Sequence, residues 1–270
     1  MQTRQQIAPS VPGPSSCCSD FYEQDWVRHL AEDIFHPGGV ELTRKTIAAM
    51  NLPAGAAIAD LGCGTGTTAM MLARDYDLRV SAVDISAASI ERAVERLNSE
   101  PDTVRFYRAD AHELPFKDSE LDGIIAECTF SLFRQQQAVL AEISRVLKPG
   151  GKLAVTDMAT NGTLPDDIAA VLAPWTCLAD ALDQETYMEM FAAAGFEIQA
   201  MADESSGLVS LVRMLKRKLL LGAGVALASD VLPALDLATI KFWLDRFETE
   251  VGNESIRYLR FNMQNAGGRA

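Results

Sequence analysis

The chain has no surplus of positive charge: 24 Lys and Arg stand against 37 Asp and Glu in 270 residues, a formal net charge of −13. A nucleic-acid surface gains affinity by releasing phosphate counterions to basic side chains, so no nucleic-acid partner is expected. The one basic cluster, RMLKRKLLL at 213–221, reads as a solvated helix face. A long uncharged apolar run is also missing. The most apolar stretch, residues 219–240, contains Asp230, Pro233 and Asp236, whereas a membrane span needs about 20 nearly uncharged residues. Residues 1–20 hold no apolar segment of the secretory kind, and their Pro, Ser and Gly content reads as a flexible arm. The expected location is cytoplasmic, without a membrane partner. Five cysteines, an odd number, in such a context argue against a disulfide framework and for reduced thiols. Internal repeats and low-complexity tracts are absent, and 48% hydrophobic residues suffice for a full core.

From Ile58 onward, short apolar runs alternate with helical patterns, the signature of strand–helix–strand crossovers and a parallel sheet. AAIADLG, RVSAVDI, VRFYRAD, LDGIIAEC and GKLAVTDM read as five strands. TTAMMLARDY, SAASIERAVERLN (opened by Ser86) and QAVLAEISRVL read as helices, the last ended by the KPGG turn, where glycine supplies a positive φ. The fold class is α/β, a Rossmann-like doubly wound, mostly parallel sheet with N-terminal helices and a helical C-terminal extension. Expected boundaries are a flexible arm at 1–20, a helical cap at 21–50, a cofactor-binding domain at 51–205 and a helical extension at 206–270. A short strand near FEIQAMAD is the exception in an otherwise helical stretch from about 160 onward.

DLGCGTG, Asp60 to Gly66, lies between the first strand and its helix. Gly62, Gly64 and Gly66 leave no Cβ in the turn, so a ligand can approach the backbone, and the following helix N-terminus adds free N–H donors. Alone, such a loop also fits a dinucleotide site or a plain turn. Its company narrows the choice. Asp84 ends the second strand about 20 residues on, where a carboxylate can accept both hydroxyls of a ribose. Asp110 and Ala111 end the third. Acidic residues at consecutive strand ends share the carboxyl edge of the sheet, where open α/β folds bind ligands. A Rossmann dehydrogenase would instead carry G-x-G-x-x-G, a spacing that Thr65-Gly66-Thr67 breaks.

DLGCGTG, AVDIS, RADAHELPF and RVLKPGG, in that order over about residues 55–160, resemble the class I S-adenosylmethionine-dependent methyltransferases. The resemblance implies S-adenosylmethionine as cofactor. By it the glycine loop with Asp60 faces the methionine part, Asp84 and Ile85 the ribose side, and Asp110 with Ala111 the adenine edge, with Glu127 completing the contacts.

Cys128 follows Glu127 at the end of the fourth strand, and Cys177 follows Trp175 in a predicted helix. A lone cysteine is usually a small core hydrophobe. The run ECTFSLF, RVLKPGG, TDMAT, LPDD and WTCLADAL, about residues 127–196, resembles the arsenite methyltransferases. That resemblance implies a small-molecule acceptor, trivalent arsenic bound by Cys128 and Cys177, with a thiol co-substrate. Soft thiolates select soft metals and metalloids. The further thiols Cys17 and Cys18 stand in the Ser-rich arm, and Cys63 in the glycine loop reads as structural; no resident metal is expected. The competing reading is an organic O, N or C acceptor with packing cysteines. It calls for a base among His36, His112 and Tyr187, although a turn role suits His36, the adenine border suits His112 and half-burial suits Tyr187. A non-catalytic S-adenosylmethionine-binding module is a third. The HPGG turn at 36–39 reads as a hinge by which the cap closes over the cofactor.

Overall fold

A computed structural model of the chain describes residues 36–97, 104–173, 176–220 and 237–267. The expected arm, most of the expected cap, Trp175, Cys17 and Cys18 lie outside the described residues. The described chain begins at the HPGG turn and runs into α1 (Gly39–Met50). Five strands and three helices follow, with no helix between β3 and β4: β1 (Ala57–Leu61), α2 (Thr67–Tyr76), β2 (Arg79–Asp84), α3 (Ala87–Arg96), β3 (Val104–Arg108), β4 (Leu121–Glu127), α4 (Gln136–Val146) and β5 (Leu147–Thr160). A π-helical segment, Ile168–Leu172, precedes α5 (Gln184–Ala193), β6 (Phe196–Asp203), α6 (Ser206–Leu220), α7 (Leu237–Gly252) and β7 (Ile256–Asn265).

The seven strands form one sheet in the order β3-β2-β1-β4-β5-β7-β6. β1 to β5 are mutually parallel, whereas β7 runs antiparallel to both β5 and β6. Both faces are covered, so consecutive residues of one strand serve opposite cores. Ile124 packs with Leu61, Val139, Leu140 and Phe191, while Ile125 packs with Ile58, Leu72 and Ala154. That explains the near-continuous apolar runs of the central strands. A third cluster joins Leu42 of α1, Ile168, Cys177, Leu178, Leu208 of α6, Trp243 of α7 and Tyr258 of β7.

Local signals act as expected at several points. The Ser86 side chain caps α3 by accepting the Ser89 N–H at 3.1 Å. Gly150 has φ +78°, which its lack of a Cβ makes accessible, but KPGG lies within β5, where the register with β4 shifts between Leu121↔Leu147 and Gly123↔Lys152, instead of forming a separate turn.

Two further expectations are corrected. Residues 206–270 are not helical throughout: Ile256–Asn265 is a strand inserted between β5 and β6. It pairs with β5 from Lys152↔Gln264 to Thr160↔Ile256, which satisfies a backbone that both cores enclose. Cys177 lies in a turn rather than a helix. Position 174 is a proline, which has no N–H to continue a helical ladder.

Candidate active site

One pocket opens at the carboxyl end of β1. It is lined by the glycine loop, by Thr67, Thr68 and Met71 of α2, by Asp60 and Glu127, and by His36, Gly39, Val40 and Thr43 at the start of α1. Of the residues expected to hold a cofactor, Asp60, Gly62, Gly64 and Glu127 meet here. The loop's shape follows from Gly62, Gly64 and Gly66, at φ +70°, +53° and +79°. A Cβ on Gly62 would lie 2.3 Å from Thr129 Oγ1, and one on Gly66 2.7 Å from the Phe106 ring, whereas one on Gly64 would meet open space. Two loop glycines therefore serve close packing, and the third leaves backbone bare toward the pocket.

Two buried carboxylates dominate the electrostatics. Glu127 Oε2 accepts from the hydroxyls of Thr43 at 3.0 Å and Thr68 at 2.9 Å. His36 Nε2 lies 3.1 Å from Thr43 Oγ1 and 3.5 Å from Glu127 Oε2, and its Nδ1 lies 3.1 Å from Pro37 O. Glu127 Oε1 and Asp60 Oδ2 are buried without any hydrogen-bond partner. An unsatisfied buried oxygen costs about 1–3 kcal/mol, more when charged, so the pair marks a place prepared for a donor. Burial, reinforced by the charges of Glu127 and Asp84, pushes the Asp60 carboxyl well above the usual range. Thr43 and Thr68 were not singled out from sequence; the HPGGVELT and GTGTT contexts are the only signals that place them.

The other expected cofactor residues lie along the same edge outside that pocket lining. Asp84 accepts from the Gly64 N–H and the Ser86 N–H, both at 2.8 Å, so it ties the glycine loop to the start of α3. Ile85 is 60% exposed, an unusual exposure for so large an apolar side chain. Asp110 Oδ1 accepts from the backbone N–H of His112 at 3.0 Å and from its Nδ1 at 2.6 Å, and Nε2 donates to Arg134 O at 2.7 Å. That engagement with Asp110 holds the His112 pKa above its ordinary value. Ala111 is buried beside them. Among the three candidate bases, His36 alone lines the pocket. Tyr187 is fully buried rather than half-buried, stacked on Phe191, and its hydroxyl donates to Met158 O at 3.1 Å. Burial moves its pKa far up, away from base chemistry.

Cys128 and Cys177, 49 residues apart in sequence, meet with their sulfurs at 3.4 Å. Cys128 has φ +54°, rare for a residue with a Cβ, and its N–H donates to Thr156 O at 2.7 Å. Cys177 is buried and its thiol donates to Cys128 O at 3.3 Å. The hydrogen bond with Cys177, then burial, raises the Cys128 pKa well above that of a free thiol. A third group, unforeseen from sequence, is Asp157: it and the two thiols each place one ligand atom within 4.8 Å of the others. Cys63 is buried in the loop, where burial holds its thiol protonated, consistent with a packing role.

The sequence matches the methyltransferase domain family over residues 52–195, more than half of the chain. The chain belongs to this methyltransferase family. Methyltransferase GfsG of Streptomyces halstedii is 31% identical over 207 residues, covering 69% of this chain and 74% of that one. The arsenite methyltransferase of Halobacterium salinarum is 30% identical over 219 residues, covering 76% of this chain and 56% of that one. Phosphoethanolamine N-methyltransferase 2 of Haemonchus contortus, solved with S-adenosylhomocysteine, shares the fold at a TM-score of 0.76 and 18% identity, over 93% of this chain and 60% of that one. The protein is accordingly a methyltransferase. Among its described residues, no helix is long and apolar enough to cross a membrane.

Proposed function

We propose that this methyltransferase holds S-adenosylmethionine along the carboxyl edge of β1, β2 and β4 and methylates trivalent arsenic bound by Cys128 and Cys177. The orphaned oxygens of Asp60 and Glu127 fit the ammonium of the cofactor's amino-acid end. The open space beside Gly64 fits close approach of that ligand to the backbone. Asp84 and Asp110 would take the ribose and the adenine edge, with Ile85 as an apolar contact. Bound there, the cofactor supplies an electrophilic methyl group.

The observation that carries the acceptor is the 3.4 Å separation of the two sulfurs. Two sulfurs each about 2.3 Å from one centre lie about 3.4 Å apart when the angle between them is about 95°, the angle of a pyramidal three-coordinate atom. Cys128 directly follows Glu127, which lines the cofactor pocket. Trivalent arsenic keeps a lone pair while sulfur holds it, so no proton leaves the acceptor and no general base is required. The protein's contribution is then positioning, an effect that can be worth roughly 7–11 kcal/mol. A thiol co-substrate would complete the arsenic's ligands.

A second reading, an organic acceptor, is favoured by the apolar cluster around the thiols and by the presence of His36 in the pocket lining as a base. One experiment separates the two. Cys128→Ser and Cys177→Ser, assayed with arsenite and excess thiol, should each abolish methylated arsenic while calorimetry finds S-adenosylmethionine binding unchanged. Wild-type protein that binds the cofactor but yields no methylated arsenic overturns the arsenic reading.

A further inference from the structure

Three donors from three separate segments converge beside β5. They are Cys128 Sγ at the end of β4, Cys177 Sγ in the turn after residue 173, and a carboxylate oxygen of Asp157 in β5, all within 4.8 Å of one another. The set is held from behind. Asp157 Oδ2 accepts from the Ser131 N–H at 2.7 Å, and Oδ1 from the Ser131 hydroxyl at 2.8 Å and the Met158 N–H at 2.7 Å. Such outer contacts fix a ligand's orientation before any ion arrives. Cys128 is anchored to β5 through its own N–H, and Cys177 through its contact with the Cys128 carbonyl. Asp157 and Cys177 are buried while Cys128 is half-buried, so an ion would enter past Cys128.

We propose that Cys128, Cys177 and Asp157 form a binding site for a soft divalent cation of the zinc and cadmium type, through two thiolates and one carboxylate. Two sulfurs and one oxygen supply three positions of a tetrahedral shell, leaving the fourth to water or a small thiol. Thiolate donors select this class over hard cations such as magnesium, which prefer six oxygens. Binding converts two thiols to thiolates and releases two protons, so the cation and three anionic donors form a complex of net charge −1. The inference does not require arsenic to be the acceptor. It shares the two thiols with that reading, so a bound cation and a thiol-bound acceptor exclude each other.

The test uses the full-length protein with Cys17→Ser and Cys18→Ser, which leaves buried Cys63 as the one thiol outside the cluster, titrated with Cd²⁺. One equivalent should develop the ultraviolet thiolate-to-cadmium band. Cys128→Ser or Cys177→Ser in that background should abolish it, and Asp157→Asn should weaken Cd²⁺ binding by about tenfold or more. X-ray absorption of the Cd²⁺-loaded parent, which relies on no cluster variant folding, should show a mixed shell of two sulfurs with oxygen. No band at one equivalent, a band that survives loss of both cluster thiols, or a shell of oxygen alone overturns the proposal. Cadmium bound without arsenic methylation removes the arsenic reading and leaves this one; arsenic methylation without cadmium binding does the reverse.

Discussion

Thr43 donates its hydroxyl proton to Glu127 across 84 positions of sequence, at 3.0 Å, and so fastens α1 to the carboxyl end of β4. The same carboxylate oxygen takes the Thr68 hydroxyl from α2, leaving Oε1 buried and unpaired. Glu127→Gln keeps the shape and removes the charge. Calorimetry should find S-adenosylmethionine binding weakened by about 1.5–3 kcal/mol, the range for hydrogen bonds to a charged group, while the melting temperature of the cofactor-free protein holds or rises. Unchanged affinity would remove Glu127 from the cofactor site.

Asp84 joins two functions in one carboxylate, because it orders the glycine loop through Gly64 and starts α3 through Ser86. Asp84→Ala should weaken cofactor binding by about 1.5–3 kcal/mol, and Asp84→Asn, which keeps one acceptor oxygen, by less. Equal affinities for all three proteins in calorimetry would assign the residue to loop structure only.

Gly62 is the tighter of the two loop glycines that leave no room for a Cβ. A Cβ on Gly62 would meet Thr129 Oγ1 at 2.3 Å, on a backbone at φ +70°. Gly62→Ala should destabilise by about 1–2 kcal/mol from the left-handed conformation and a further 1–3 kcal/mol from overpacking. Adding Thr129→Ala removes Oγ1 and Cγ2 but keeps the Thr129 Cβ, 2.8 Å from the added one, so it should recover only some of the second part. Denaturant unfolding of the single and double variants checks this, and a double variant no more stable than Gly62→Ala contradicts it.

The His112–Asp110 contact, 2.6 Å, should make stability depend on pH. The His112 pKa is raised by the hydrogen bond to Asp110. Its contribution is therefore fully present below about 6.5 and is lost as pH rises through the higher folded value. The Asp110 carboxyl is lowered by the His112 N–H, so its contribution is present above about 3.9 and fades as pH falls through the lower folded value. The pair is strongest between about pH 4 and 6.5. Side-chain exposures of 34% and 53% keep the effect small. Thermal melts should show wild type losing its advantage over His112→Gln as pH rises past neutrality; a difference that does not change with pH refutes the ion pair.

Much of this protein is decided locally and so can be read along the chain. The alternation of apolar runs and helices implies the parallel sheet because each βα unit buries its own faces. DLGCGTG implies a bare-backbone turn because its glycines, and few other residues, adopt φ from +53° to +79°. Ser86 announces α3 because its cap acts over three residues. Other features come from groups far apart in sequence. IRYLRFNMQN does not alternate cleanly, since Ile256, Tyr258, Leu259, Phe261 and Met263 are buried on both sides. Only its pairing with β5, about a hundred residues earlier, makes it a strand. The residue types at 128 and 177 point to thiol chemistry, but the folded chain alone decides that their sulfurs stand 3.4 Å apart and that Asp157 joins them. Such a juxtaposition depends on the packing of β4, β5 and the turn after residue 173, which no local pattern encodes.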